Sequence, residues 1–198
     1  MEKILLTGFE PFHKSALNPS QEIIRQINHS NLVAKEVLPV TFGEAATKLI
    51  ALIDLHNPTV VIALGQAEGR AQITPERVAI NLDDARIADN AGNSPKEEKI
   101  APGGPDAYFT TLPIGKIAER LNAASIPAAI SLSAGTFVCN HIFYAMQHHC
   151  SKKRIRSGFI HLPLMHEQAD EFPGLPTMKK EEMIRGIELV LDVLSETN

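Results

Sequence analysis

The sequence predicts an α/β fold: a single-domain, three-layer α/β/α sandwich around a mostly parallel, twisted sheet, spanning residues 1–198. Three observations carry this expectation. Apolar, β-branched runs alternate with stretches of helical periodicity along the chain. The segment Thr59-Val60-Val61-Ile62-Ala63-Leu64 is apolar almost throughout, as in a strand covered on both faces. The 198 residues hold no internal repeat or linker-like stretch and suffice for one well-filled core.

The elements follow in order. Residues 3–7 read as a first buried strand, and the turn-rich segment 8–19 leaves its carboxyl end for a short helix whose start is marked by Ser20. A second strand is expected near 33–40. A helix over 43–55 follows, with Ala46, Leu49, Ile50 and Ile53 at helical spacing, and Asn57-Pro58 stops it. After the strand at 59–64, residues 65–70 form a glycine-containing turn and 77–82 another strand. Segment 83–108 is rich in Asp, Asn, Gly and Pro and too long for a plain connection, so it is expected to pack around a site. Beyond it come a helix at 114–123, a strand in the apolar and small-residue run 128–135, a helix from Cys139 to about His149, and a strand at 158–162. A final helix over about 179–194 places Met183, Ile184, Ile187, Val190, Leu191 and Leu194 on one face, which should pack on the sheet. The more amphipathic segments allow one antiparallel pair. Ligands of such a sheet bind at the carboxyl ends of its strands.

Composition narrows the function classes. No segment approaches the apolar length of a membrane span, and the apolar start before Thr7 is too short for a secretory signal, so the expected compartment is the cytoplasm. The net charge is −4, and the one basic run, Lys152-Lys153-Arg154-Ile155-Arg156, lacks interleaved aromatics, which argues against a nucleic-acid partner. Cys139 and Cys150 fall on one expected helix, whose rise of about 1.5 Å per residue separates them by roughly 16 Å, too far for a disulfide.

Cys139 is the residue that carries chemistry. It stands at an expected strand-to-helix junction, where a helix dipole stabilises a thiolate. Downstream, His161 lies in the strand-like string Gly158-Phe159-Ile160-His161-Leu162-Pro163, and a cysteine nucleophile with a histidine base is the chemistry the two share. Glu76, at a strand entrance in Ile73-Thr74-Pro75-Glu76-Arg77, is a candidate orienting carboxylate. Each also has a plain structural reading: a buried core cysteine, a hydrogen-bonded core histidine, a solvated charge. His141, His148, His149 and Cys150 carry metal-ligand chemistry without metal-site spacing, and Gly8-Phe9-Glu10-Pro11 lacks both phosphate-loop patterns, so neither a metal nor a nucleotide is expected. Phe9 and Phe12 read either as core aromatics or as the apolar wall of a pocket. A different thiol amidase acting on glutamine, and an α/β ligand-binding protein with an inert Cys139, stay open on this basis. The first usually carries its cysteine in a GxCxG elbow, which Val138-Cys139-Asn140 does not match.

Taken together, the strings Thr7-Gly8-Phe9-Glu10-Pro11-Phe12, Pro75-Glu76-Arg77-Val78-Ala79-Ile80-Asn81, Asp84-Ala85-Arg86-Ile87, Ala107-Tyr108-Phe109-Thr110-Thr111-Leu112-Pro113, Gly135-Thr136-Phe137-Val138-Cys139-Asn140-His141 and Gly158 to Pro163 resemble the type I pyroglutamyl peptidase family of cysteine peptidases. The resemblance runs from Thr7 to about Gln168. It implies an omega exopeptidase that hydrolyses the amide bond after an N-terminal pyroglutamyl residue of peptides and proteins through a thioester, needs no cofactor, and self-associates as a dimer or tetramer. It also implies a catalytic triad of Cys139, His161 and Glu76, an oxyanion-side arginine at Arg86, and a lactam pocket of Phe9, Phe12, Gln66, Ile87, Phe137 and Val138. Two departures from the family pattern, Glu68 where a small residue is usual and Leu164-Met165-His166 where an aromatic and a proline are usual, concern the rim of the site. His166 is a rival base to His161 but lies outside the strand.

Overall fold

Strand β1 (Ile4–Phe9) enters the middle of the molecule with six successive buried residues, because both of its faces are covered by helices. The computed structural model describes residues 2–13 and 15–196. Helix α1 (Pro19–Gln26) follows, then β2 (Leu32–Leu38), α2 (Glu44–His56) and β3 (Val60–Gln66). The chain continues through β4 (Thr74–Pro75), β5 (Val78–Ile80) and β6 (Ala107–Phe109) to α3 (Ile114–Ala123) and α4 (Val138–Lys153). It closes with β7 (Arg156–Leu162), β8 (Leu164–Met165), a 3₁₀ turn at His166–Gln168, β9 (Thr177–Met178) and α5 (Lys180–Glu196).

The central sheet has the order β2-β1-β3-β7-β4, parallel except for β4 against β7. Alternation along its strands sorts the two cores. Ile4, Leu6, Ile62, Leu64, Ile160 and Leu162 face α1, α3 and α5, meeting Ile23, Ile117 and Leu191; Leu5, Val61, Ala63 and Phe159 face α2 and α4, meeting Leu49, Ile53, Ile142 and Phe143. This is the three-layer α/β/α arrangement expected from the sequence. From β1 the chain steps outward to β2, then returns to the other side of β1 as β3. The connections from the carboxyl ends of β1 and β3 therefore diverge, opening a crevice there.

Several boundaries differ from the sequence expectation. Ser20 does not start α1: Asn18 is the N-cap, its side chain accepting from the Ser20 amide, and Pro19 fills the first turn, where its missing N–H costs nothing. Ser20 is instead buried, its Oγ accepting the Phe9 amide at 2.9 Å. The strand expected at 77–82 shortens to β5, which leaves the main sheet to pair antiparallel with β6 at the end of the 83–108 excursion. Residues 65 and 66 of the expected turn extend β3.

The strand expected at 128–135 is replaced by an extended segment with two isolated bridges, Ile73 to Ala128 and Glu76 to Ser131. Four backbone hydrogen bonds link residues 127–131 to 73–77, but Pro75 and Pro127 each remove a donor from the pairing, and no regular ladder forms. Cys139 therefore follows a loop, with Gly135 at φ 77°, a left-handed conformation that glycine adopts without Cβ strain. Both cysteines are free thiols.

Candidate active site

Three strands deliver residues to the crevice. Phe9 ends β1, Gln66 ends β3, and His161 stands one residue before the end of β7, in register with Gly65. Gly65 leaves space for the nucleophile: a Cβ there would sit 2.7 Å from the Phe159 ring and 3.2 Å from Cys139 Sγ. The thiol thus lies over the sheet beside His161, where a larger residue in β3 would displace it.

Helix α4 begins at Val138, with Phe137 as an N-cap that offers no side-chain hydrogen bond. The first-turn amides of Val138, Cys139 and Asn140 are therefore not taken up by a cap, and they open the positive end of the helix at the thiol. Asn140 anchors that turn. Its side chain accepts the Ile80 amide at 3.0 Å and donates to the Ile80 and Leu82 carbonyls at 2.9 Å each. Thr136 in turn exchanges two hydrogen bonds with the Asp84 backbone. These ties hold the loop carrying Arg86 and Ile87 against the segment before Cys139.

His161 Nδ1 lies 2.7 Å from Glu76 Oε1, which leaves Nε2 free to face the cleft. Burial lowers the imidazole's affinity for a proton, Glu76 opposing and Arg70 adding to the effect, so its pKa falls below the ordinary value. Glu76 is fully buried. Burial raises its carboxyl, but bonding to His161, with Ser131 and Arg70 nearby, more than compensates and leaves it low. The Cys139 side chain is half-buried, and desolvation pushes the thiol up to about 12, Glu76 adding and Arg70 opposing. Burial thus opposes the thiolate that the helix start favours. Both shifts favour the neutral thiol and the neutral imidazole.

The cleft has a volume of about 1000 Å3 and is lined by Phe9, Phe12, Gln66, Arg86, Ile87, Phe137, Val138, Cys139 and His161, so each site residue implied by the family resemblance reaches its wall except Glu76, which stands behind His161. Phe12 packs on Phe137 at 5.1 Å, and Phe137 edges onto Phe42 at 5.2 Å. Gln66 Oε1 accepts from Gln168 Nε2 at 2.9 Å, leaving the Gln66 amide donors without a partner among the described residues. Arg86 is exposed and forms no ion pair among the described residues. His166 lies off this wall, hydrogen-bonded to Thr177 at 2.8 Å. Among the described residues no group of three or more His, Cys, Asp and Glu is placed to hold a metal.

Three contributors escaped sequence reasoning: Arg70, Asn140 and the His141–Asp83 pair. The Gly43 amide donates to His141 Nε2 at 3.2 Å, which puts the imidazole proton on Nδ1, 2.7 Å from Asp83 Oδ2. His141 also stacks edge-on against Phe42 behind the pocket aromatics. Only the close approach of segments 42, 83 and 141 exposes this role.

The pyroglutamyl peptidase family profile matches residues 2–197. The chain belongs to the pyroglutamyl peptidase family. It is 48% identical over its whole length to the pyrrolidone-carboxylate peptidase of Vibrio vulnificus strain YJ016, covering 94% of that protein, and 48% identical to that of Gloeobacter violaceus, covering 98%. Pyroglutamyl peptidase I of Bacillus amyloliquefaciens superposes with a TM-score of 0.94 at 42% identity, over 98% of this chain and 95% of that one. A mutant pyrrolidone carboxyl peptidase from Pyrococcus furiosus gives 0.94 at 39% identity, over 99% and 100%. The family match, the relatives and the fold together make this chain a hydrolase of the cysteine peptidase class.

Proposed function

We propose that this chain removes N-terminal pyroglutamyl residues from peptides, with Cys139 as nucleophile, His161 as the proton carrier and Glu76 as the group that orients it. The single observation that carries the residue assignment is the convergence in one cleft of a half-buried thiol at an uncapped helix start with the histidine of a buried Glu–His pair.

In the proposed sequence Cys139 Sγ attacks the scissile carbonyl carbon as its proton passes to His161 Nε2, since both groups are neutral at rest. The oxyanion is met by the first amides of α4 and by Arg86. Collapse breaks the C–N bond, the imidazolium protonates the departing amine, and a thioester remains. Water, its proton taken by His161, attacks the thioester; pyroglutamate leaves and the thiol is restored. The compact, uncharged lactam suits walls of Phe9, Phe12, Ile87, Phe137 and Val138, and the Gln66 amide is placed to donate to it. A charged amino terminus would lose its hydration there without compensation.

The same reading takes residues 1–198 as one domain resident in the cytoplasm and self-associating. No helix among the described residues is long and apolar enough to cross a membrane. Phe109 and Leu132, both about 70% exposed, support association, and light scattering would measure it. Turnover of a pyroglutamyl chromogenic amide tests the activity: release that survives chelator and stops on thiol alkylation is expected. Release of ammonia from glutamine with no pyroglutamyl turnover would overturn it.

A further inference from the structure

We propose that Arg70 is a positioning residue of this site: its guanidinium holds the Glu76 carboxylate against His161 and fastens it to the loop that leads into Cys139. The proposal rests on the peptidase reading of Glu76 and His161.

Arg70 Nη1 lies 2.6 Å from Glu76 Oε1 and 2.5 Å from Thr74 Oγ1, while Nη2 donates to the Ser133 carbonyl at 3.1 Å. The oxygen that Arg70 grips is the one that His161 Nδ1 meets; Glu76 Oε2 is buried without a hydrogen-bond partner among the described residues. One fork therefore spans the turn after β3, the carboxylate and the segment 133–138. Gly69, at φ 79°, makes the turn that brings Arg70 back over the site.

Charge balance gives the contact its consequence. The Glu76 side chain is fully buried, whereas that of Arg70 keeps 28% of its surface. His161 is neutral at rest, so Arg70 is the standing cation on this carboxylate among the described residues, and a buried carboxylate without one is costly. Without Arg70, Glu76 would draw a proton onto His161, converting the base to an imidazolium before substrate arrives. The charged groups that bear on His161 are Glu76, which raises its proton affinity, and Arg70, which lowers it. Removing Arg70 therefore moves the protonation of His161 to higher pH.

The experiment compares wild type, Arg70→Met and Arg70→Lys. It measures kcat and KM for a pyroglutamyl chromogenic amide across pH, and follows the His161 imidazole titration by NMR. In Arg70→Met the acid limb of kcat/KM and the His161 titration should both move up by about half a pH unit or more. Its kcat at neutral pH should fall about tenfold or more, with KM little changed. Arg70→Lys keeps the charge and should restore the limb. If Arg70→Met fails to fold, Arg70→Gln carries the same expectation.

A fall in activity with both titrations unmoved would make Arg70 merely structural and overturn the proposal. So would a rise in KM at constant kcat, which would make it a substrate contact. Absence of pyroglutamyl turnover in the wild type would defeat the peptidase reading instead, and the NMR titration would still decide the role of Arg70.

Discussion

Glu76 shows how far residue chemistry depends on neighbours. In the sequence it is a carboxylate beside a proline; in the fold it is fully buried, bonded to His161 at 2.7 Å and gripped by Arg70. Glu76→Gln preserves shape but removes the charge that orients the imidazole, and kcat should fall at least about 100-fold in steady-state assays with the melting transition retained. The two cysteines separate just as sharply. Cys139→Ser should lower turnover by more than about 1000-fold. Cys150 is fully buried on the α2/α4 side of the sheet, away from the cleft wall. Cys150→Ser should leave turnover intact while costing about 1 kcal/mol in urea melts. Equal inactivation of the two would refute the assignment of the nucleophile. At this scale the proposed triad residues stood out because each sits in a family-like string. Arg70 was not, because an arginine in a glycine turn carries no sign of the carboxylate it will meet.

At the scale of elements, the site is built by what strands and helix ends leave open. Gly65 is an ordinary strand residue by φ, yet a Cβ would collide with Phe159 and crowd Cys139 Sγ. Gly65→Ala should therefore destabilise by about 1–3 kcal/mol and disable the thiol; chemical denaturation and turnover on one preparation would show both losses. The cap of α1 gives a second test. Asn18 caps the helix, donates to the Glu10 carbonyl at 2.9 Å and lines the cleft. Asn18→Ala should cost about 1 kcal/mol and raise KM, since the loop bearing Phe12 loses its tie. A KM equal to wild type would show that loop to be held by other contacts. Helices α2, α3 and α5 were legible to within a few residues because their 3.6-residue periodicity reflects burial of one face. Segment 128–135 was not: its apolar run signals burial, and prolines on both sides of the pairing interrupt the ladder that would have made it a strand.

The whole molecule ties stability to the site's electrostatics. Glu76 and Asp89 are held below their usual pKa, so the stability they contribute is present above the unfolded carboxylate range and is lost as pH falls toward their folded values. His161 is also low, from the usual 6.5, so the unfolded chain takes up that proton first and stability falls again as pH drops below that value. Urea midpoints should thus decline from about pH 6.5 downward; a midpoint that rose on mild acidification would contradict these directions. Activity should fall at lower pH than the point where stability begins to decline, because His161 in the folded protein is protonated only below 6.5 and, once protonated, cannot accept the thiol proton. The sequence by itself determined the layer architecture, the family and the residues able to act as nucleophile, base and orienting acid. The architecture follows from periodicity, and the family and those candidate residues follow from strings that resemble the family's; both are local properties of the chain. Only the tertiary structure decided that burial favours the neutral thiol and imidazole, that Arg70 stands on Glu76, and that Gly65 leaves room for sulfur. Desolvation, charge pairing and steric clearance are set by groups far apart in the chain, and they acquire values only when the sheet brings residues 65, 70, 76, 139 and 161 together.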